Sequence, residues 1–436
     1  MKKIAILFIV LLTSSFVFAQ NTYVPDDKFE QALIDLGYDT TLDDYVLTAN
    51  ISGVTHLDVQ NKEIADLTGI EDFVALIELW CASNQLTSLD VSNNTALTVL
   101  SCYSNQLTSL DVSNNSALIE VNISKNLLTS FDVTNNTALT HLINHNGKLT
   151  SLDVTKNIAL IRLVNGGGDL SSAGLDVSKN TALTYLNLTC NLTSLDVSKN
   201  TALITIYAPY NQLTSLDVSK NTALQHLTLH DNQLTSLDVS KNTALTYLRC
   251  YNNQLTSLDV SKNTALNDLW CAGNKLTSLD VSANTALTHL DCSYNQLTSL
   301  DVSKNTALTK LTINENQLTS LDVSKNTALN DLWCADNQLT SLDVSNNTAL
   351  TVLDIGGDPY TNLDVSKNTA LTYLGIRSTQ LTSLDVSSNT ALEHLYVNDN
   401  QLTSLDVSKN TVLTSLYFGD NDLTSLDVSA NTALTN

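Results

Sequence analysis

Basic residues are scarce: 21 Lys and Arg stand against 44 Asp and Glu, giving a formal net charge of −23. Such a chain repels nucleic acid and anionic membranes, which recruit proteins through basic patches. Proline and methionine are scarcer still, at three and one in 436 residues. Leu, Thr, Ser, Asn and Asp take their place, a bias that points to a repeated unit rather than an ordinary globular mixture. Beyond the N-terminal leader no long apolar run occurs, so no membrane insertion is expected. CxxC pairs and clustered histidines are missing, which removes the usual zinc frameworks. A nucleophile elbow, a phosphate loop and an HExxH helix are missing as well. Neither an enzyme nor a cofactor is implied.

What is present begins with a leader. Lys2 and Lys3 precede the apolar run "IAILFIVLL" and a small-residue exit, "VFA", ending at Ala19. Residues 1–19 read as a secretory signal peptide cut after Ala19, which makes the mature chain secreted or cell-surface. No Cys follows the cut, so a lipoprotein anchor is not indicated. Residues 20–73 read as an N-terminal cap. Within it, "PDDKFEQALIDLGY" (Pro25 to Tyr38) predicts a short amphipathic helix with Phe29, Leu33 and Leu36 on one face and Gly37 ending it. An atypical first coil follows.

Residues 74–436 carry one unit 17 times, usually at a spacing of 21 residues. One copy is lengthened around "NGGGDLSSAG" (Asn165 to Gly174), and one is shortened at "LTCNLTSL" (Leu188 to Leu195). Each unit holds two half-coils, as in "LTYLRCYNNQL" and "LTSLDVSKNTAL", and both alternate apolar with polar residues before an Asn. Alternation of that length predicts strands, and no 3.6-residue apolar stripe appears beyond Leu79. The expected fold is a mainly β, weakly curved solenoid with parallel strands on two faces and coils about 4.8 Å apart.

Leu100 and Cys102 then point inward on the first face, Leu110 and Val112 on the second. Cys81, Cys102, Cys250, Cys271, Cys292 and Cys334 share one repeat position, held elsewhere by Ile, Leu, Val or Phe, so they read as core thiols rather than disulfides. Cys190 lies elsewhere. Asn105 and Asn115 mark the two turns, and their side-chain amides are expected to donate to and accept from backbone of the adjacent coil. The second-face Asn, from Asn94 to Asn431, is present in all 17 copies; the first-face Asn gives way to Gly147, Gly168, Asp358 and Thr379. The chain stops at "NTALTN" without a C-terminal cap, an end either blunt by design or truncated, and an open solenoid end predicts end-to-end self-association or marginal local stability in about the last two coils.

The pattern L-x-x-L-x-L-x-x-N-x-L, matched by Leu245 to Leu255 with Cys in one Leu slot, resembles the leucine-rich-repeat family over most of the chain. It looks most like the secreted, internalin-like surface proteins of bacteria. That resemblance implies a solenoid whose commonest use is protein binding.

The variable half of the unit supplies the candidate site. Its outward columns place Tyr207, Arg249, Trp270, Asp291 and Trp333 beside His226, Tyr247, Asp268 and Asp331, with Tyr251 close by. Aromatic residues interleaved with Arg and Asp are the composition of recognition surfaces. The expected function is a secreted recognition or adhesion scaffold that binds a protein or glycan through this face. Both tryptophans are expected to point outward and to matter little for stability. The alternative is an ordered acidic surface binding cations, mineral or ice through the Asp column, Asp90 to Asp427. "DTTLDDY" (Asp39 to Tyr45) is a weaker calcium candidate, since calcium takes hard oxygen ligands.

Overall fold

The computed structural model describes residues 20–435, so the leader of residues 1–19 lies outside the described residues. The chain enters through a two-stranded antiparallel ribbon, β1 (Asn21–Tyr23) with β2 (Tyr45–Leu47). Between them lies α1 (Asp27–Asp35), within the stretch where a helix is expected. Asp26 caps it: the carboxylate accepts the backbone N–H of Lys28 at 2.9 Å and of Phe29 at 3.0 Å. Gly37 follows in the left-handed region at φ +80, which ends the helix. A single turn, α2 (Thr48–Ile51), leads to β3 (His56–Asp58). Phe29 and Leu33 of α1 are fully buried and belong to the same apolar core as the repeats.

From β3 onward the chain forms one parallel sheet of eighteen strands, ending in β20 (Ser415–Tyr417). The register advances one coil at a time, as in Leu248 opposite Leu269 and Leu269 opposite Leu290. β3 pairs only with β4 (Glu78–Trp80), and β20 only with β19 (His394–Tyr396), so the sheet is an open solenoid ribbon. Most strands have three residues, with the central Leu buried and its neighbours partly exposed. Leu, Val and Cys columns stack through the interior as one continuous core.

All seven cysteines are buried and free. Burial pushes the Cys250 thiol up to about 12, so it packs as a neutral apolar group.

Strands form on one face only, contrary to the two-faced expectation. The "LDV" segments bear no strand among the described residues, only an isolated bridge between Asp90 and Asp111. The reason is a side chain. In each coil the Asp carboxylate accepts the backbone N–H of the Ser or Thr two residues on, as Asp259 does from Ser261 at 2.9 Å. That Asx turn bends the chain where a ladder would need an inter-coil donor. Two further turns follow, Asn263 N–H to Val260 and Leu266 N–H to Asn263. The solenoid therefore has a strand face and a turn face.

Asparagine ladders bind coil to coil, with a difference between the two rows. On the strand-face side, the Asn274 amide donates to the carbonyls of Cys250 and Cys271, both at 3.0 Å, and its oxygen accepts Leu255 N–H at 3.0 Å. On the turn-face side, Asn263 donates to Val239 at 3.0 Å and Asn242 at 2.8 Å, but its Oδ1 accepts nothing. The same orphan oxygen recurs in every coil from Asn94 to Asn431, so the expected acceptance holds for the first row alone.

The residue before the strand-face Asn occupies the left-handed region along the array, for example Tyr210, Asn252, Tyr294 and Asp336 at φ between 53 and 57 for the first, second and last and 52 for Tyr294. Bulky residues there carry strain. Where the ladder Asn is replaced by Gly147 and Gly168, strands lengthen to seven residues in His141–Gly147 and six in Arg162–Gly167. Their Asn144 and Asn165 point into the core and pair at 2.7 Å.

Candidate functional site

The strand face presents one outward residue on each side of every buried Leu. Parallel in-register pairing then aligns these residues into columns, one coil apart. A third column follows the buried Cys slot and carries His230, Tyr251 and Arg377. Sequence reasoning took Tyr251 from it and missed the other two, although they occupy the same repeat position.

The first cluster centres on His230, which is buried and stacks on Tyr251 with ring centroids 4.3 Å apart and planes 5° apart. Tyr210 meets the same imidazole edge-on at 4.9 Å, and Tyr207 at 6.3 Å. Nδ1 of His230 lies 2.7 Å from the Asp231 carboxylate. Burial raises the Tyr251 hydroxyl above its ordinary value, with Tyr210 and Asp231 adding to the effect. Tyr251 also leans on Trp270 at 6.3 Å.

Arg249 joins this group to the next coil. Its guanidinium carbon stands 4.2 Å from the Trp270 ring centroid and 4.4 Å from that of Tyr247. Its Nε lies 3.9 Å from Asp268, an ion pair too long for a hydrogen bond. Burial raises the Asp268 carboxyl, and Arg249 and His289 oppose that rise. His226 is exposed and meets the cluster through Tyr247, with ring centroids 5.9 Å apart.

Trp270 and Trp333 bound a cleft of about 340 Å³ that also takes in His289, Asp291, Lys310 and Thr312. Asp331 sits at its far edge, where it holds Lys310 at 3.0 Å and accepts the Trp333 indole N–H. Of the residues singled out from sequence, Tyr207, Tyr247, Arg249, Tyr251, Asp268 and Trp270 thus form one contact chain. Asp291, Asp331 and Trp333 line or edge the adjoining cleft. Both indoles are partly buried rather than free. They pack along the ladder, so truncating either ring would remove neighbour contacts as well as outward surface.

A further cluster lies beyond the cleft. Trp333 packs on Tyr373 at 5.4 Å, Tyr373 on Tyr396 at 5.3 Å, and Tyr396 stacks on Tyr417 at 4.9 Å. Asp354 is buried beneath them and accepts from Arg377 at 2.9 Å and from the Tyr373 hydroxyl at 3.1 Å.

The turn face has different chemistry. Backbone and hydroxyl donation from the following Ser holds the Asp259 and Asp301 carboxyls below their ordinary value, and Lys262 and Lys304 add to this. The fixed Asp therefore has a structural role independent of any ligand. Among the described residues no three His, Cys, Asp or Glu side chains group as a metal set. The "DTTLDDY" loop points its backbone N–H groups at an anion: Asp43, Asp44 and Tyr45 all donate to the buried Glu30 carboxylate. That is the polarity of an anion nest rather than a calcium cage.

No family model matches the chain. A 75-residue stretch, 17% of this chain, is 38% identical to Internalin J of Listeria monocytogenes and spans 8% of that protein's length. The solved functional domain of InlJ from Listeria monocytogenes, described as including a cysteine ladder, is 37% identical, covers 90% of this chain and 79% of its own, and superposes with a TM-score of 0.64. YopM from Yersinia enterocolitica shares the fold at 22% identity and a TM-score of 0.63, covering 83% of this chain and 82% of its own. No helix among the described residues is long and apolar enough to cross a membrane. With the InlJ domain matched over most of both chains, this protein belongs to the internalin-like leucine-rich-repeat proteins of bacteria.

Proposed function

We propose that this chain is a secreted or surface-displayed recognition scaffold that docks a partner protein on its strand face, over the patch from Tyr207 to Trp333. One observation carries the reading: the aromatic and charged side chains from Tyr207 to Trp270 are held against one another in one array rather than scattered, and Trp333 faces them across the adjoining cleft. Rings fixed by their neighbours lose little entropy on binding, which is what anchor residues of an interface need. The same fold in a plant peptide hormone receptor, RGFR1, was solved in complex with RGF2, at 20% identity. Export rests on the leader of residues 1–19, and residues 20–73 act as a cap over the first coil's apolar end.

The test uses immobilised mature chain, residues 20–436, in three forms: unchanged, W270A/W333A, and D259N/D280N/D301N. Host and environmental protein fractions and a glycan array are passed over each. A protein retained by the unchanged and Asp-block forms but lost from W270A/W333A supports the reading. Retention lost only in the Asp-block form would transfer function to the turn face.

A further inference from the structure

We infer that the cleft between Trp270 and Trp333 receives the guanidinium of an arginine side chain presented by a basic partner segment. The inference rests on the proposed use of the strand face and names the chemistry it recognises. Three observations support it.

The first is shape. Trp270, Asp291, Thr312 and Trp333 occupy one column in successive coils, by the register Trp270–Asp291, Asp291–Thr312 and Thr312–Trp333. Two indoles thus flank two small side chains across three coil steps, about 14 Å at strand spacing. The resulting notch of about 340 Å³ is large enough for a side chain to enter end-on. Both walls are braced from behind, Trp270 by Arg249 and Tyr251, Trp333 by Tyr373.

The second is charge. Lys310 shares the notch but is paired with Asp331 at 3.0 Å, and Arg249 is opposed by Asp268. Asp291 accepts only the Ser293 N–H, at 3.0 Å, and no cation pairs with it among the described residues. The notch therefore keeps one unmatched carboxylate between two indoles, on a chain whose net charge is −23. A carboxylate with flanking π-faces favours a planar cation, and a guanidinium suits both partners better than an ammonium does.

The third is how the protein treats its own arginines, of which there are three. Arg162 lies 3.9 Å from the Tyr185 ring centroid. Arg249 sits between Tyr247, Trp270 and Asp268. Arg377 donates to Asp354, whose carboxylate also takes the Tyr373 hydroxyl. All three are held on this face by an aromatic ring, an aspartate or both. The notch repeats that arrangement with the arginine missing.

The probe is the peptide acetyl-Gly-Arg-Gly-Arg-Gly-amide, compared with its citrulline counterpart, a neutral isostere. Binding is followed by indole fluorescence and calorimetry on the mature chain, with melting curves confirming that each variant folds. The expected result is saturable binding of the arginine peptide, at least ten-fold tighter than the citrulline peptide. Asp291→Asn should weaken it about five-fold or more and Trp333→Ala further, while Asp259→Asn on the turn face leaves it unchanged. Equal binding of the two peptides, equal losses at Asp291 and Asp259, or no saturation would overturn the inference. So would a neutral oligosaccharide that binds in the notch and displaces the peptide. These outcomes concern the notch alone, because the strand-face reading is decided separately by partner retention on W270A/W333A.

Discussion

Asp358 stands where the strand-face ladder ordinarily has Asn, and replacing it with Asn should stabilise the protein at neutral and alkaline pH. One of its oxygens does the ladder's work, accepting Asn337 N–H at 2.9 Å and Leu339 N–H at 3.1 Å. The other is buried and has no partner. In the preceding coil the equivalent atom is the Asn337 amide nitrogen, which donates to Ile313 and Cys334 carbonyls at 3.1 Å each. Asp358 thus offers an acceptor where the register calls for a donor. Asp336, Cys334 and Tyr360 face the same carboxyl and add no positive charge. Burial is the main cause that pushes its pKa from 3.8 up to about 7. A folded-state value above the unfolded one means that the folded state holds the proton more tightly. The associated stability is complete below about pH 4 and is lost as pH rises toward 7. Three units at about 1.4 kcal/mol each set a ceiling near 4 kcal/mol, and local relaxation brings the expected loss to about 2–4 kcal/mol. Urea denaturation of wild type and Asp358→Asn at pH 4 and pH 8, with hydrogen exchange over residues 330–380, reads the effect. The turn-face aspartates, held below their ordinary value, destabilise in the opposite direction as pH falls, but they are common to both proteins and cancel in the difference. The variant should match wild type at pH 4 and exceed it by about 2–4 kcal/mol at pH 8. A gap that is absent, or the same at both pH values, would refute the ladder argument.

Gly273→Ala should destabilise by about 1–2 kcal/mol, because the residue has φ +61 and an added Cβ would meet Asn252 Oδ1. Conversely, Tyr294→Gly in the equivalent position, 62% exposed, should cost nothing or stabilise by up to about 1 kcal/mol; thermal melts compare the two. Trp270→Ala should lower stability by about 1–2 kcal/mol, since it removes a ring that lies under Arg249 and leans on Tyr251; a melting temperature unchanged from wild type would return the ring to a purely outward role. Thiol titration of the denatured, unreduced chain should count close to seven free thiols, reacting slowly while folded, and three or fewer would end the core-thiol reading.

The repeat dictated a good deal unaided. A Leu at every third or second position before an Asn leaves a coil no way to bury its apolar side except against the next coil. Stacking of Leu248 on Leu269, the Cys250–Cys271–Cys292 slot and the conserved spacing of the Asn rows all follow from that periodicity. The outward positions were legible for the same reason, because alternation alone assigns Arg249, Trp270 and Trp333 to the far side of the strand. Three matters were decided only in three dimensions. The turn face lost its strand because a carboxylate at Asp259 captures a backbone N–H locally, a competition that an alternating pattern does not reveal. His230 and Arg377 joined the strand-face clusters because coil stacking supplies their partners: His230 lies on its counterpart Tyr251 one coil later, and Arg377 reaches back to Asp354. Finally, whether an aromatic is an anchor or a packing element depends on what stands in the coils before and after it. Arg249 lies on Trp270 and Tyr373 on Trp333, 21 and 40 residues apart in the chain, and only the stacking distance between coils makes them neighbours.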